Sequence, residues 1–143
     1  TPIQMAVYTA ILANGGYKIV PHVMKKIVAP NGEVIKTYLP QKEKIEGISE
    51  ATLELIKKSM IDVIESERGT GRACYIPGLR IAGKTGSAEN PHGRTHAWFI
   101  AFAPAEDPTL AVVIVLENAG HGGAIAAPLA RKIFLYYFYQ QIS

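Results

Sequence analysis

At 143 residues the chain is long enough to bury a core of its own, and a hydrophobic content of 48% excludes a disordered polymer. The net charge of +3 is mild, and the basic pairs Lys25-Lys26, Lys57-Lys58 and Arg131-Lys132 are too short and scattered to form a nucleic-acid-binding stripe. A lone cysteine, Cys74, excludes an internal disulfide and leaves the compartment open.

The chain opens on Thr1 as an N-cap with Pro2 at the first helical position, and Ile3, Val7 and Ile11 then share one helix face. Asn14-Gly15-Gly16 ends that helix. An opening inside a helix turn, with no initiator methionine or signal-peptide pattern, leads us to expect a fragment of a longer protein. His22–Ala29 and Glu33–Tyr38 flank Pro30-Asn31-Gly32 and are predicted to form a hairpin. Ser49 caps a second helix, with Leu53, Ile56, Met60 and Val63/Ile64 inward and Glu50, Glu54, Lys57 and Lys58 outward. Gly69-Thr70-Gly71 breaks it.

After Tyr75-Ile76-Pro77-Gly78 come three predicted strands, Arg80–Glu89, His96–Ala103 and Leu110–Glu117, the last two joined by a turn at 104–108. Those two are apolar on both faces, as in central strands covered by helices on each side. The longest apolar run, Leu110–Leu116, has strand length and falls short of the ~18–20 residues that span a bilayer. A final helix from about Ala124 to Gln140 presents Ile125, Leu129, Ile133 and Tyr136/Tyr137 as a stripe. There is no internal repeat.

Chemistry enters with Gly83-Lys84-Thr85-Gly86-Ser87-Ala88-Glu89. Alternation along a strand places Thr85 and Ser87 on one side and Lys84 and Gly86 on the other. Two hydroxyls in register can both donate to a carboxylate, Lys84 adds positive charge, and Gly83 and Gly86 allow close backbone approach. Alone, Lys-Thr-Gly is a weak signal. Its place in a strand, ahead of an apolar strand pair and a C-terminal helix, resembles the third motif of the penicillin-binding proteins and serine β-lactamases. The likeness covers nearly the whole chain. Thr1-Pro2-Ile3-Gln4-Met5-Ala6, Ala13-Asn14-Gly15-Gly16 and Gly69-Thr70-Gly71 are similar to segments of the high-molecular-weight transpeptidases. Asn90-Pro91-His92-Gly93, His96-Ala97-Trp98-Phe99 and Ala126-Ala127-Pro128 resemble the class B enzymes of cell elongation, the penicillin-binding protein 2 type.

The resemblance implies an α+β fold, a mainly antiparallel sheet backed by helices, with residues 1–143 as the C-terminal portion of one transpeptidase domain. It implies a parent enzyme that cross-links peptidoglycan stem peptides ending in D-Ala-D-Ala through an acyl-enzyme, without metal or organic cofactor. That parent would be anchored at the outer face of the bacterial cytoplasmic membrane. Its partners would be stem peptides, β-lactams, the upstream part of the same domain and membrane proteins of the elongation machinery, but no nucleic acid. The substrate carboxylate would be held by Thr85 and Ser87, with Gly86 beneath the substrate peptide, which would lie along the strand as an added edge strand. Lys84 would serve the proton path, and the backbone N–H of Ser87 would form half of an oxyanion hole. Ser87 stands where Thr is commoner, which keeps the hydroxyl and loses a methyl. Ala101, where many relatives have Gly, is read as packing.

The family nucleophile lies in Ser-x-x-Lys. None of Ser49, Ser59, Ser66, Ser87 and Ser143 has a Lys three residues on, and no Ser-x-Asn occurs. Both motifs are expected upstream, leaving this chain one wall of a site. Two other readings stand beside this one: a β-lactam-hydrolysing enzyme of the same superfamily, and a non-catalytic penicillin-sensing or scaffold domain. Among other candidates, His92, His96 and His121 lack the helical setting and accompanying Glu of a zinc peptidase and are read as loop residues. Cys74 reads as a small buried hydrophobe, and Trp98, Phe99 and Phe102 as core. Glu89 reads as a solvated strand end, and Gly120-His121-Gly122-Gly123 as a flexible lead into the last helix.

Overall fold

The computed structural model of the chain describes residues 1–139, so the expected helix end at Gln140 lies outside the described residues. Helix α1 (Pro2–Ala13) begins with a reciprocal cap: the Gln4 N–H donates to Thr1 Oγ1, and the Thr1 amine donates to Gln4 Oε1 at 2.8 Å. Its buried residues are Thr9 and Leu12, whereas Ile3 is more than half exposed. The Thr9 hydroxyl tolerates burial because it donates to the Met5 carbonyl at 2.7 Å.

Strand β1 (Tyr17–Ile19) pairs with β4 (Lys42–Lys44), a pair too short for a pattern to reveal. Between them β2 (Lys26–Val28) and β3 (Val34–Thr37) form the expected hairpin, shorter than predicted and with a register shift at Ile27/Val28. Helix α2 (Glu50–Glu65) follows, its Thr52 N–H donating to Ser49 Oγ, with Leu53, Met60 and Ile64 buried as expected. A 3-10 turn at Arg72–Cys74 leads to the main sheet.

That sheet contains β5 (Ala82–Ala88), β6 (His96–Ala103) and β7 (Leu110–Leu116), antiparallel in the order β5-β6-β7. Phe99, Ala101, Ala103 and Val112 point to one face, onto Ala126, Ala127, Ala130 and Phe134 of helix α3 (Gly122–Tyr139). Ala82, Ile100 and Phe102 point to the other, onto Leu12 of α1 and Leu53 and Met60 of α2. Central β6 is therefore covered on both sides, as its two-faced apolar pattern requires. Ala101 is fully buried, in keeping with a packing role.

The stripe expected on α3 points the other way: Ile125, Leu129, Ile133, Tyr136 and Tyr137 are exposed, and Gly122, Ala126, Ala127, Ala130 and Phe134 are buried. Small side chains let the helix axis approach the sheet, a gain that a rule favouring large residues overlooks.

Candidate active site

Strand β5 holds the motif, and it is an edge: its only sheet neighbour among the described residues is β6. Registry pairs Lys84 with Ile100, Thr85 with Phe99, Gly86 with Trp98 and Ser87 with Ala97. The strand thereby separates two clefts. On the Lys84 side, a cleft of about 420 Å³ is walled by Thr1, Met5, Trp98 and Ile100. On the other side, one of about 440 Å³ is lined by Thr70, Thr85, Ser87 and His121, and closed by the start of α3. Thr85, Gly86 and Ser87 line both clefts, whereas Lys84 lines the first and not the second.

Lys84 is exposed, and its ammonium donates to the Thr85 carbonyl at 2.6 Å. Thr70 Oγ1 and Thr85 Oγ1 lie 2.9 Å apart, and Ser87 Oγ lies 3.4 Å from His121 Nδ1. Neither Thr70 nor His121 stands out as a site residue in the sequence, since 15 and 34 positions separate each from its partner. Trp98 corrects the core assignment: it is only partly buried and walls the Lys84 cleft, whereas Phe99 and Phe102 are fully buried. The interior residue of that stretch is Phe99, whose ring fills the room Gly83 leaves: a Cβ on Gly83 would lie 2.9 Å from Phe99 Cζ. At Gly86 the nearest atom to such a Cβ is Trp98 Cβ, at 3.2 Å. Ile114 is partly buried against the same core.

The lead into α3 is clamped, contrary to the flexible segment expected. Gly120 N–H donates to the Thr95 carbonyl at 2.8 Å, and Thr95 Oγ1 donates to the Gly120 carbonyl at 3.0 Å. Gly122 sits against the carbonyls of Gly86 and Trp98, and Gly123 against that of Thr70, with no room for a Cβ at either. His96 Nδ1 accepts from the Asn118 N–H at 3.0 Å, and Asn118 also receives the Asn90 amide at 2.6 Å. Cys74 is wholly buried, and burial pushes its thiol up to about 12 against the opposing charge of Arg131. No helix among the described residues is long and apolar enough to cross a membrane.

A family model of the penicillin-binding protein transpeptidase domain matches residues 1–135. The chain belongs to that transpeptidase family. It is 39% identical to the peptidoglycan D,D-transpeptidase MrdA of Haemophilus influenzae, over 99% of this chain and 24% of that protein. Its fold matches penicillin-binding protein A of Mycobacterium tuberculosis, solved as a ceftriaxone acyl-enzyme complex, with a TM-score of 0.82 at 33% identity. That match covers 94% of this chain and 31% of the other. Pseudomonas aeruginosa PBP2, solved with WCK 5153, matches at a TM-score of 0.79 and 34% identity over 97% of this chain and 30% of the other. The chain thus spans about a quarter of the length of the MrdA relative, and its α+β fold is that of the penicillin-binding transpeptidases.

Proposed function

We propose that residues 1–143 form the C-terminal portion of a peptidoglycan D,D-transpeptidase domain and carry the wall that binds the substrate carboxylate. The observation that carries this reading is an exposed edge strand on which Thr85 and Ser87 share one cleft with Lys84 and also line a second cleft with Thr70 and His121. A peptide ending in D-Ala-D-Ala lies along β5 as a further strand, its carboxylate receiving both hydroxyls. The nucleophile is the serine of a Ser-x-x-Lys motif in the upstream part of the domain. Its Oγ attacks the penultimate D-Ala carbonyl, the terminal D-Ala leaves, and an amine of a second stem peptide then takes the acyl group.

Lys84 faces the cleft in which that attack takes place and hydrogen-bonds the serine of an upstream Ser-x-Asn, along the path of the proton. The Ser87 N–H and the nucleophile's own N–H stabilise the oxyanion. β-Lactams enter by the same route, their carboxylate standing in for that of the peptide. The reaction takes place on the outer face of the bacterial cytoplasmic membrane, to which the parent protein is anchored by a segment outside this chain.

In the full-length protein, Thr85→Val keeps shape and removes one donor to a charged acceptor. A loss of about 1.5–3 kcal/mol corresponds to acylation by penicillin slowed roughly tenfold to a hundredfold. Stopped-flow acylation with a fluorescent penicillin measures this directly. An unchanged rate would remove Thr85 from the carboxylate site.

A further inference from the structure

Building on the carboxylate reading above, we infer that Thr70 and His121 are positioning residues that set the hydroxyl protons of Thr85 and Ser87 toward the substrate carboxylate. A hydroxyl carries one proton, so Thr85 and Ser87 can each donate to a carboxylate only if other neighbours do not claim that proton. Among the described residues each has a single side-chain partner: Thr70 Oγ1 at 2.9 Å from Thr85 Oγ1, and His121 Nδ1 at 3.4 Å from Ser87 Oγ. When the Thr70 hydroxyl donates to Thr85 Oγ1 and the His121 Nδ1–H donates to Ser87 Oγ, both outward hydroxyls keep their protons for the anion. Each such chain of two bonds polarises in the direction that strengthens the outer one.

The backing groups are held as positioning requires. Thr70 lies between Gly69, whose N–H donates to the Ser66 carbonyl at 2.9 Å, and Gly71, whose N–H donates to the Val63 carbonyl at 3.0 Å. Its own carbonyl is packed against Gly123. His121 lies between clamped Gly120 and Gly122, which has no space for a side chain. The shorter Thr70 contact is the stronger of the two, since 3.4 Å is near the limit of a useful hydrogen bond.

The test measures second-order acylation of the full-length protein by a fluorescent penicillin in single variants and in two double variants. Thr70→Val should lose about three- to tenfold and His121→Leu about two- to fivefold. Thr70→Ser, and His121→Asn with its amide near the Nδ1 position, should restore most of the rate. Thr70→Val/Thr85→Val should be no slower than Thr85→Val alone, and His121→Leu/Ser87→Ala no slower than Ser87→Ala alone, because each pair acts as one unit. Losses that multiply in both doubles, with Thr85→Val itself slow, would overturn the inference and leave the carboxylate reading standing. A Thr85→Val protein acylated at the wild-type rate would defeat the carboxylate reading and this inference together. A wild-type protein that is not acylated would defeat the transpeptidase reading beneath both.

Discussion

Cys74 is a side chain whose surroundings decide its chemistry. It sits in the cluster with Ile64, Ile81 and Phe99, fully enclosed, and desolvation holds its proton up to about pH 12. Its reaction with iodoacetamide in the native protein should therefore stay slow and lack the rise between pH 7 and 9.5 that a free thiol displays, returning to normal in denaturant. A native alkylation rate matching the denatured one would contradict this. The sign for stability follows: the unfolded thiol releases its proton near 9.0 and the folded one near 12, so stability declines as pH rises through that interval. Thr85 and Ser87 were legible in the sequence because their relation is local, two residues along one strand. Thr70, Trp98 and His121 were not, because only the packing of the segment after α2, of β6 and of the lead into α3 around β5 brings them to the clefts.

Among the elements, α3 shows most clearly what patterning leaves open. A helix apolar around most of its surface offers no polar face to exclude, and the larger residues suggested the wrong stripe. The deciding contact is a close one: Gly122 lies against the Gly86 and Trp98 carbonyls, so the helix start fixes the rear of the motif strand. Gly122→Ala would push α3 away from β5 and is expected to cost roughly 1–3 kcal/mol in the domain, read by denaturant unfolding. Penicillin acylation should fall with it, since the hydroxyl cleft is built on that contact. An Ala variant with wild-type unfolding and acylation would show that the helix is free to shift. Helix α2 was readable down to its cap because Leu53, Met60 and Ile64 recur on one face opposite its charged residues, with exposed Leu55 the exception. The β1–β4 pair was not readable, being three residues per strand with β4 exposed throughout.

At the scale of the molecule, the chain has a packed sheet and an unfinished surface. Between α1 and α2 runs a cleft of about 610 Å³ lined by Met5, Tyr8, Leu55, Ile56, Met60 and Val63, with Lys84 at its margin. Ile3, Tyr8 and Leu55 are each close to half exposed or more on those helices. An apolar cleft with such exposed neighbours is a surface prone to association. Prepared alone, the 143-residue chain should self-associate and bind a hydrophobic dye. A compact, dye-negative monomer in sedimentation at high concentration would contradict that.

As proposed, this chain is the carboxylate-binding wall of an acylating enzyme whose nucleophile lies elsewhere in the protein. Its hydroxyls have no base of the Ser-x-x-Lys kind, and the role assigned to Ser87 is to donate to an anion. Intact-mass analysis after incubation with penicillin tests this most directly, applied in parallel to the full-length protein and to the 143-residue chain. One penicillin is expected per full-length molecule, mapped to a serine of a Ser-x-x-Lys motif outside these residues, with no covalent adduct on the chain alone. A stoichiometric adduct on Ser87 or any other residue of this chain, or a full-length protein that takes up none, would contradict it.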